Sequence, residues 1–138
     1  MPLTDQLDAL EEQAETDLPG ALAAAAALEP TGDHETALVQ LLVGSLTARA
    51  GNLAAALDCL GRAGAAARAA GDEVLEAEAR VTLASVHAAR GDYRIAVPML
   101  RAQIERLRRC GGAEQLLADA CAELDAYETL LGEPSPKA

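Results

Sequence analysis

Two interleaved series of glycines divide the chain into helix-sized segments, and they constrain its fold more than any other feature. Within each series the glycines recur at a step of about 40 residues, a period typical of helical repeat proteins. The first series is Gly32, Gly71 and Gly111, and the second is Gly51, Gly91 and Gly132. Glycine just past a helix adopts the left-handed conformation that ends it, and a following Asp or Asn can cap the next helix. Each glycine therefore predicts a helix end and a short turn.

The segments between these glycines carry apolar residues at steps of three and four, the spacing of an amphipathic helix. This spacing predicts five helices, over 36–50, 53–70, 73–89, 93–110 and 113–131. Two more are expected before them. One runs from Thr4 or Asp5 to Ala14, and the other starts at Asp17 with Pro19 in its first turn and stops near Glu29. The sequence thus predicts about seven helices joined by short turns.

The composition favours the same fold class. Alanine and leucine, which are strong helix formers, dominate the apolar residues, and the chain has no Trp and no Phe. We therefore expect an all-α protein of antiparallel helix–turn–helix units stacked as a short α-solenoid. It forms a single domain over residues 1–132, followed by a disordered tail over 133–138. Pro98 falls inside the sixth predicted helix and is expected to kink it or to delay its regular part.

Charge and cysteine content narrow the partners that we expect. The formal net charge of −11 opposes binding to nucleic acids and to anionic membranes, but it favours basic protein partners. The three cysteines, Cys59, Cys110 and Cys121, are widely spaced and suggest reduced thiols in a cytoplasmic protein. Cys110 precedes two glycines at a helix end, where it is the candidate for oxidation or intermolecular pairing.

Residues that carry chemistry are sparse and scattered. His34 stands beside Asp33, which we expect to cap a helix, and His87 lies near a packed helix face. No phosphate-binding glycine loop is present. Arg101, Arg106, Arg108 and Arg109 form a basic cluster. Arg101 and Arg109 each stand four residues from Glu105, which favours a solvated face and leaves recognition of an acidic partner as the alternative. The sequence predicts no catalytic residues, no cofactor and no metal.

The best-marked stretch resembles tetratricopeptide repeats in their long-period variant. The resemblance covers residues 33–110 and extends more weakly to 5–29 and 113–131. It depends on a small residue within each A helix, a Gly-Asp or Gly-Asn turn, and small residues in each B helix. These features are found at Gly44, Gly51-Asn52-Leu53, Ala56, Leu60, Ala63, Leu83-Ala84, Gly91-Asp92-Tyr93, Ala96 and Leu100. Aromatic positions of the family are instead filled by Gln40, Thr47, Arg80 and His87.

The resemblance implies a non-catalytic module that binds a protein or peptide on a concave surface of A helices. By motif position, that surface consists of Leu38, Leu41, Ser45, Ala48, Arg49, Glu78, Val81, Ser85, Ala88 and Ala89. Similar arrays occur in bacterial regulators, so a homodimeric sensory or regulatory domain is the alternative. A small enzyme with a cryptic site is the third hypothesis.

Overall fold

The computed structural model describes residues 1–132, and the tail predicted over 133–138 lies outside the described residues. The all-α prediction is confirmed, and the described residues form seven helices. They are α1 (Leu3–Ala14), α2 (Leu18–Ala26), α3 (Gly32–Arg49), α4 (Leu53–Ala69), α5 (Glu73–Ala89), α6 (Tyr93–Cys110) and α7 (Glu114–Leu131). The second helix ends a few residues before the predicted stop near Glu29.

The junctions at Gly51 and Gly71 behave as the pattern predicts, since each glycine has a positive φ and the Asn52 or Asp72 after it caps the next helix. Gly71, for example, has φ +75°, and the Asp72 carboxylate after it accepts a hydrogen bond from the Leu75 N–H at 3.0 Å. The expectation that Asp33 caps a helix was wrong. Thr31 holds the N-cap position of α3, and both its N–H and its hydroxyl donate to the Glu35 carboxylate. Glu35, one turn into the helix, is therefore the acid that interacts with the N-cap residue at this junction, and Asp33 is not.

Pro98 lies within α6 without dividing it, since the helix extends from Tyr93 to Cys110. Pro98 is exposed, and so is Arg94, four residues earlier. The missing N–H leaves the Arg94 carbonyl without its helical donor, but at an exposed position water can hydrate that oxygen. The proline is therefore tolerated in the second turn of α6.

Each helix packs against the next in the chain, from α1 on α2 to α6 on α7. The odd-numbered helices also contact each other, α1 with α3, α3 with α5, and α5 with α7. Within residues 1–132 the even-numbered helices make no such close approach. An array whose odd helices approach more closely than its even helices curves with the odd helices on the inside. The concave face is therefore formed by α1, α3 and α5, and α7 closes one end.

Two different kinds of contact hold the central helices together. At the α3–α4 contact, Gly44 faces the fully buried Leu60, and a Cβ at position 44 would lie 2.7 Å from Leu60 Cγ. Around α5 the contact is charged instead. Glu76 is only 3% exposed, and its carboxylate meets Arg80 at 2.9 Å and Arg106 of α6 at 2.7 Å. The α3–α4 contact is thus an apolar close approach, and α5–α6 is joined through a buried ion pair.

The Arg68 guanidinium of α4 lies 3.6 Å from the same Glu76 carboxylate, so three helices meet at one acid. Burial alone raises the pKa of Glu76, but the hydrogen bonds and positive charges of Arg80 and Arg106 outweigh it and hold the pKa below its ordinary value. Glu76 is consequently ionised in the folded protein at neutral pH.

Candidate functional site

A groove runs along the concave face between α1, α3 and α5. It consists of three adjoining depressions with cavity volumes of about 450, 210 and 300 Å³. Ser45, near the middle of α3, lines all three. The apolar lining of the groove comes mainly from leucines of α3, because the three- and four-residue spacing of Leu38, Leu41 and Leu42 places them along one side of that helix. We call the three depressions together the concave groove.

The rim that α1 contributes to the concave groove is acidic. Four of its carboxylates line the depressions: Asp8, Glu11, Glu12 and Glu15. The opposite side adds Glu78 of α5. Arg49 is the one basic residue in the lining, and it has no ion-pair partner within 4.0 Å among the described residues.

Glu78 carries a distinct electrostatic signature. Its carboxyl reaches water, yet protein atoms surround much of it on the floor side of the groove. This desolvation raises the pKa of Glu78, and the negative charges of Glu11 and Asp72 raise it further. Glu78 and Glu11 therefore repel each other across the groove. A positive charge placed there would relieve that repulsion.

The structure brings eight of the ten predicted partner-binding residues to the concave groove. These are Leu38, Leu41, Ser45, Ala48, Arg49, Glu78, Ser85 and Ala89. Val81 and Ala88 do not line it. They are 6% and 5% exposed, because side chains of α6 and α7 pack over that edge of α5. The predicted positions on α5 correspond to those on α3 by the repeat. However, α7 packs against α5 and not against α3, so it buries only the α5 positions.

Ser85 lies where the groove meets α7. Its hydroxyl donates to the Val81 carbonyl at 3.1 Å and lies 2.7 Å from a carboxylate oxygen of Glu123, on α7. The Tyr127 hydroxyl donates to the same Glu123 oxygen at 3.5 Å. Burial, and then the charge of Glu123, raise the pKa of Tyr127. This polar contact marks the end of the groove that α7 closes.

Sequence reasoning missed the contribution of α1. The acidic rim and Leu7 belong to a helix that the sequence placed first in the array, but only the two later units served for transferring the motif. The available signal was the order of helices, since an odd-numbered helix falls on the concave side. Thr82 of α5 is a further groove residue that the motif positions did not include.

The remaining candidate residues are dispersed. His34 Nε2, on α3, lies 3.4 Å from Asp72 in the α4–α5 turn. His87 Nδ1 is buried without a hydrogen-bond partner among the described residues. Cys110 is exposed and its thiol donates to Glu73 at 3.5 Å. Partial desolvation and the Glu73 carboxylate raise the pKa of Cys110, which lowers the thiolate fraction and the expected ease of oxidation. Residues 1–132 contain no cluster of three metal-ligating side chains.

Comparison with known proteins adds no assignment, because no protein-family model and no curated protein sequence matches the chain. Among the described helices, none is long and apolar enough to cross a lipid bilayer. The concave groove is therefore interpreted from its own residues.

Proposed function

We propose that this chain is a non-catalytic protein-interaction module that binds a basic segment of a partner protein in the concave groove. The observation that carries the proposal is the combination of a leucine-lined depression with a carboxylate rim on one continuous face. The resemblance to tetratricopeptide repeats stays a prediction and agrees with this use of the surface.

The shape of the groove supports a peptide-like ligand. Three adjoining depressions share Ser45, and they are open to solvent and do not form one closed cavity around a small molecule. Leu38 and Leu41 are only partly buried, and they retain apolar surface that a side chain of the ligand can cover. Burial of such surface contributes about 25 cal/mol per Å².

The negative charge of the groove favours a positively charged ligand. Glu11 and Glu78 face one space from opposite sides, on α1 and α5. A Lys or Arg of the ligand between them gains attraction from both and lowers the energetic cost of keeping Glu78 ionised. Arg49 lines the depression of about 450 Å³ together with Glu11, and also the depression of about 300 Å³, which no carboxylate lines and where Arg49 can pair with a single carboxylate of the ligand.

The test is a titration with a fluorescein-labelled synthetic peptide that alternates lysines with leucines, followed by anisotropy. The variant carries Glu11→Lys and Glu78→Lys, which reverse two charges inside the groove. A matched control carries Glu29→Lys and Asp119→Lys, which change the net charge equally on exposed residues outside it. We expect the groove variant to bind about tenfold or more weakly than the control, since two charge contacts are lost.

Equal weakening in both variants would mean that the peptide responds to net charge alone, and the proposal would then be wrong. Protonation gives a second measurement. Glu78 has a raised pKa, so it loses its charge at a higher pH than an ordinary glutamate as the pH is lowered. The affinity of the wild-type protein should fall with it, and a variant with Glu78→Gln should lose that part of the pH dependence.

A further inference from the structure

The α6–α7 end of the array contains a second groove, which the concave surface does not include. It has cavity volumes of about 500 and 200 Å³ that meet at Arg101. Ile104 of α6 and Leu124 of α7 form its apolar part, and we call it the end groove. We infer that the end groove binds an acidic amphipathic helix of a partner protein.

The internal repeat indicates that a helix is what covers this groove. Val81 and Ala84 of α5 are 6% and 0% exposed, because side chains of α6 and α7 pack over them. One period of about 40 residues later, the corresponding positions of α7 are Cys121 and Leu124. Both are only partly buried, and both line the end groove. No helix among residues 1–132 packs on α7 as α6 packs on α5. A helix supplied by a partner can bury this edge in the same way.

The charge along α6 specifies an acidic helix. Arg94, Arg101 and Arg108 are spaced seven residues apart, so they form one stripe along the groove edge of α6. Arg101 pairs with the buried Glu128 at 2.5 Å. Neither Arg94 nor Arg108 has a carboxylate within 4.0 Å among the described residues. Positions 94 and 108 are separated by about 21 Å along the axis of α6 at 1.5 Å per residue, which matches a helix of about 14 residues.

Two carboxylates also line the end groove, Glu105 on α6 and Asp125 on α7. Both are exposed, and Asp125 lies on the side of the groove away from the arginine stripe. Asp125 favours a ligand whose acidic residues follow the α6 edge, while Glu105 lies on that edge between Arg101 and Arg108 and reduces the net positive charge of the stripe. The remaining arginines of α6, Arg106 and Arg109, do not line the end groove, and Arg106 is directed toward Glu76. The ligand is therefore a helix with an apolar face and acidic side chains along one flank.

The probe is a capped synthetic helix with leucines at steps of three and four, alanines elsewhere, and glutamates along one flank. A second probe replaces each glutamate by lysine. We expect the wild-type protein to bind the glutamate helix about tenfold or more tightly than the lysine helix. The variant R94E/R108E should reverse this preference, and that gain of binding to the lysine helix excludes a general loss of folding.

Three results would overturn the inference: no binding of the glutamate helix, equal binding of both probes, or a preference that R94E/R108E leaves unchanged. A fourth is a wild-type dimer that R94E/R108E converts to a monomer in sedimentation, because a second copy would then be the occupant. The Glu11→Lys/Glu78→Lys variant should bind the glutamate helix like the wild type. The inference and the proposed function can therefore fail separately.

Discussion

The helix pairs α3–α4 and α5–α6 occupy equivalent positions in the repeat, yet different interactions hold them together. Gly44 lets α3 approach Leu60 of α4, an apolar contact whose strength depends on how the Leu60 side chain fits against the α3 backbone. The α5–α6 pair contains the buried Glu76–Arg106 contact. One period of about 40 residues earlier, Thr36 and Ala66 stand at the corresponding positions. The repeat therefore determines the path of the chain, while the contacts between helices vary from unit to unit.

This difference has consequences for how each pair responds to solution conditions. The contact between Gly44 and Leu60 contains no titratable group, so its contribution should not change with pH. Glu76 has a lowered pKa in the folded state, so its contribution to stability is present above the ordinary glutamate pKa. That contribution is lost as the pH falls through the folded-state pKa. Acid should therefore weaken α5–α6 selectively.

The largest effect is expected from Glu76→Ala, which leaves Arg80 and Arg106 without their shared carboxylate. Breaking a buried ion pair from one side costs about 3 kcal/mol or more in the free energy of unfolding. Urea denaturation followed by circular dichroism at neutral pH measures this loss. The control is Asp58→Ala, which removes an exposed pair with Arg62 four residues on and should cost about 0.5 kcal/mol.

The same two proteins test the pH dependence. The difference in unfolding free energy between the wild type and Glu76→Ala should narrow as the pH falls below the ordinary glutamate pKa and through the lowered pKa of Glu76, where Glu76 becomes protonated in the wild type as well. If the gap stayed constant into acid, the ion pair would not be the source of the stabilisation.

A smaller loss is expected from Gly44→Ala at the apolar contact. The new Cβ would lie 2.7 and 2.8 Å from side-chain atoms of the fully buried Leu60, which must shift in a packed core. Overpacking of this kind costs about 2 kcal/mol in the free energy of unfolding. Gly61→Ala on α4 is the matched control, because nothing lies within 4 Å of its added Cβ. That change should stabilise the protein by about 0.5 kcal/mol. Effects of the same sign for both substitutions would show that Gly44 is not a close-contact residue.

The sequence predicted the helices because their signals are local. Periodic leucines, glycines at junctions and Pro19 in a first turn act within a few residues of the structure they specify. Gly44 was also found, as the small residue within an A helix. The Glu76 cluster was not, since its arginines come from α4, α5 and α6 and no pattern along one helix brings them together.

The candidate binding surfaces show the same limit. Most transferred residues reach the concave groove because α3 and α5 are both odd-numbered helices. Val81 and Ala88 do not, because α7 and α6 cover them, and that burial depends on neighbours that the motif does not describe. The end groove depends in turn on what packs against α7. Local sequence thus predicts which side of a helix is apolar but not which neighbour covers it.

The smallest expected loss of stability distinguishes the turn before α5 from the turn before α6. Both begin with a Gly-Asp pair, but only the Asp72 carboxylate accepts a hydrogen bond from a helix N–H, that of Leu75. Asp92 instead lies 3.9 Å from Arg90 at the surface. Asp72→Ala should therefore cost about 1 kcal/mol, the usual loss of an N-cap. Asp92→Ala, measured in the same urea titration, should cost less than half of that. Equal losses would mean that the shared Gly-Asp motif, and not the cap hydrogen bond, determines the stability of these turns. The structural difference between the two junctions would then not affect the free energy of unfolding.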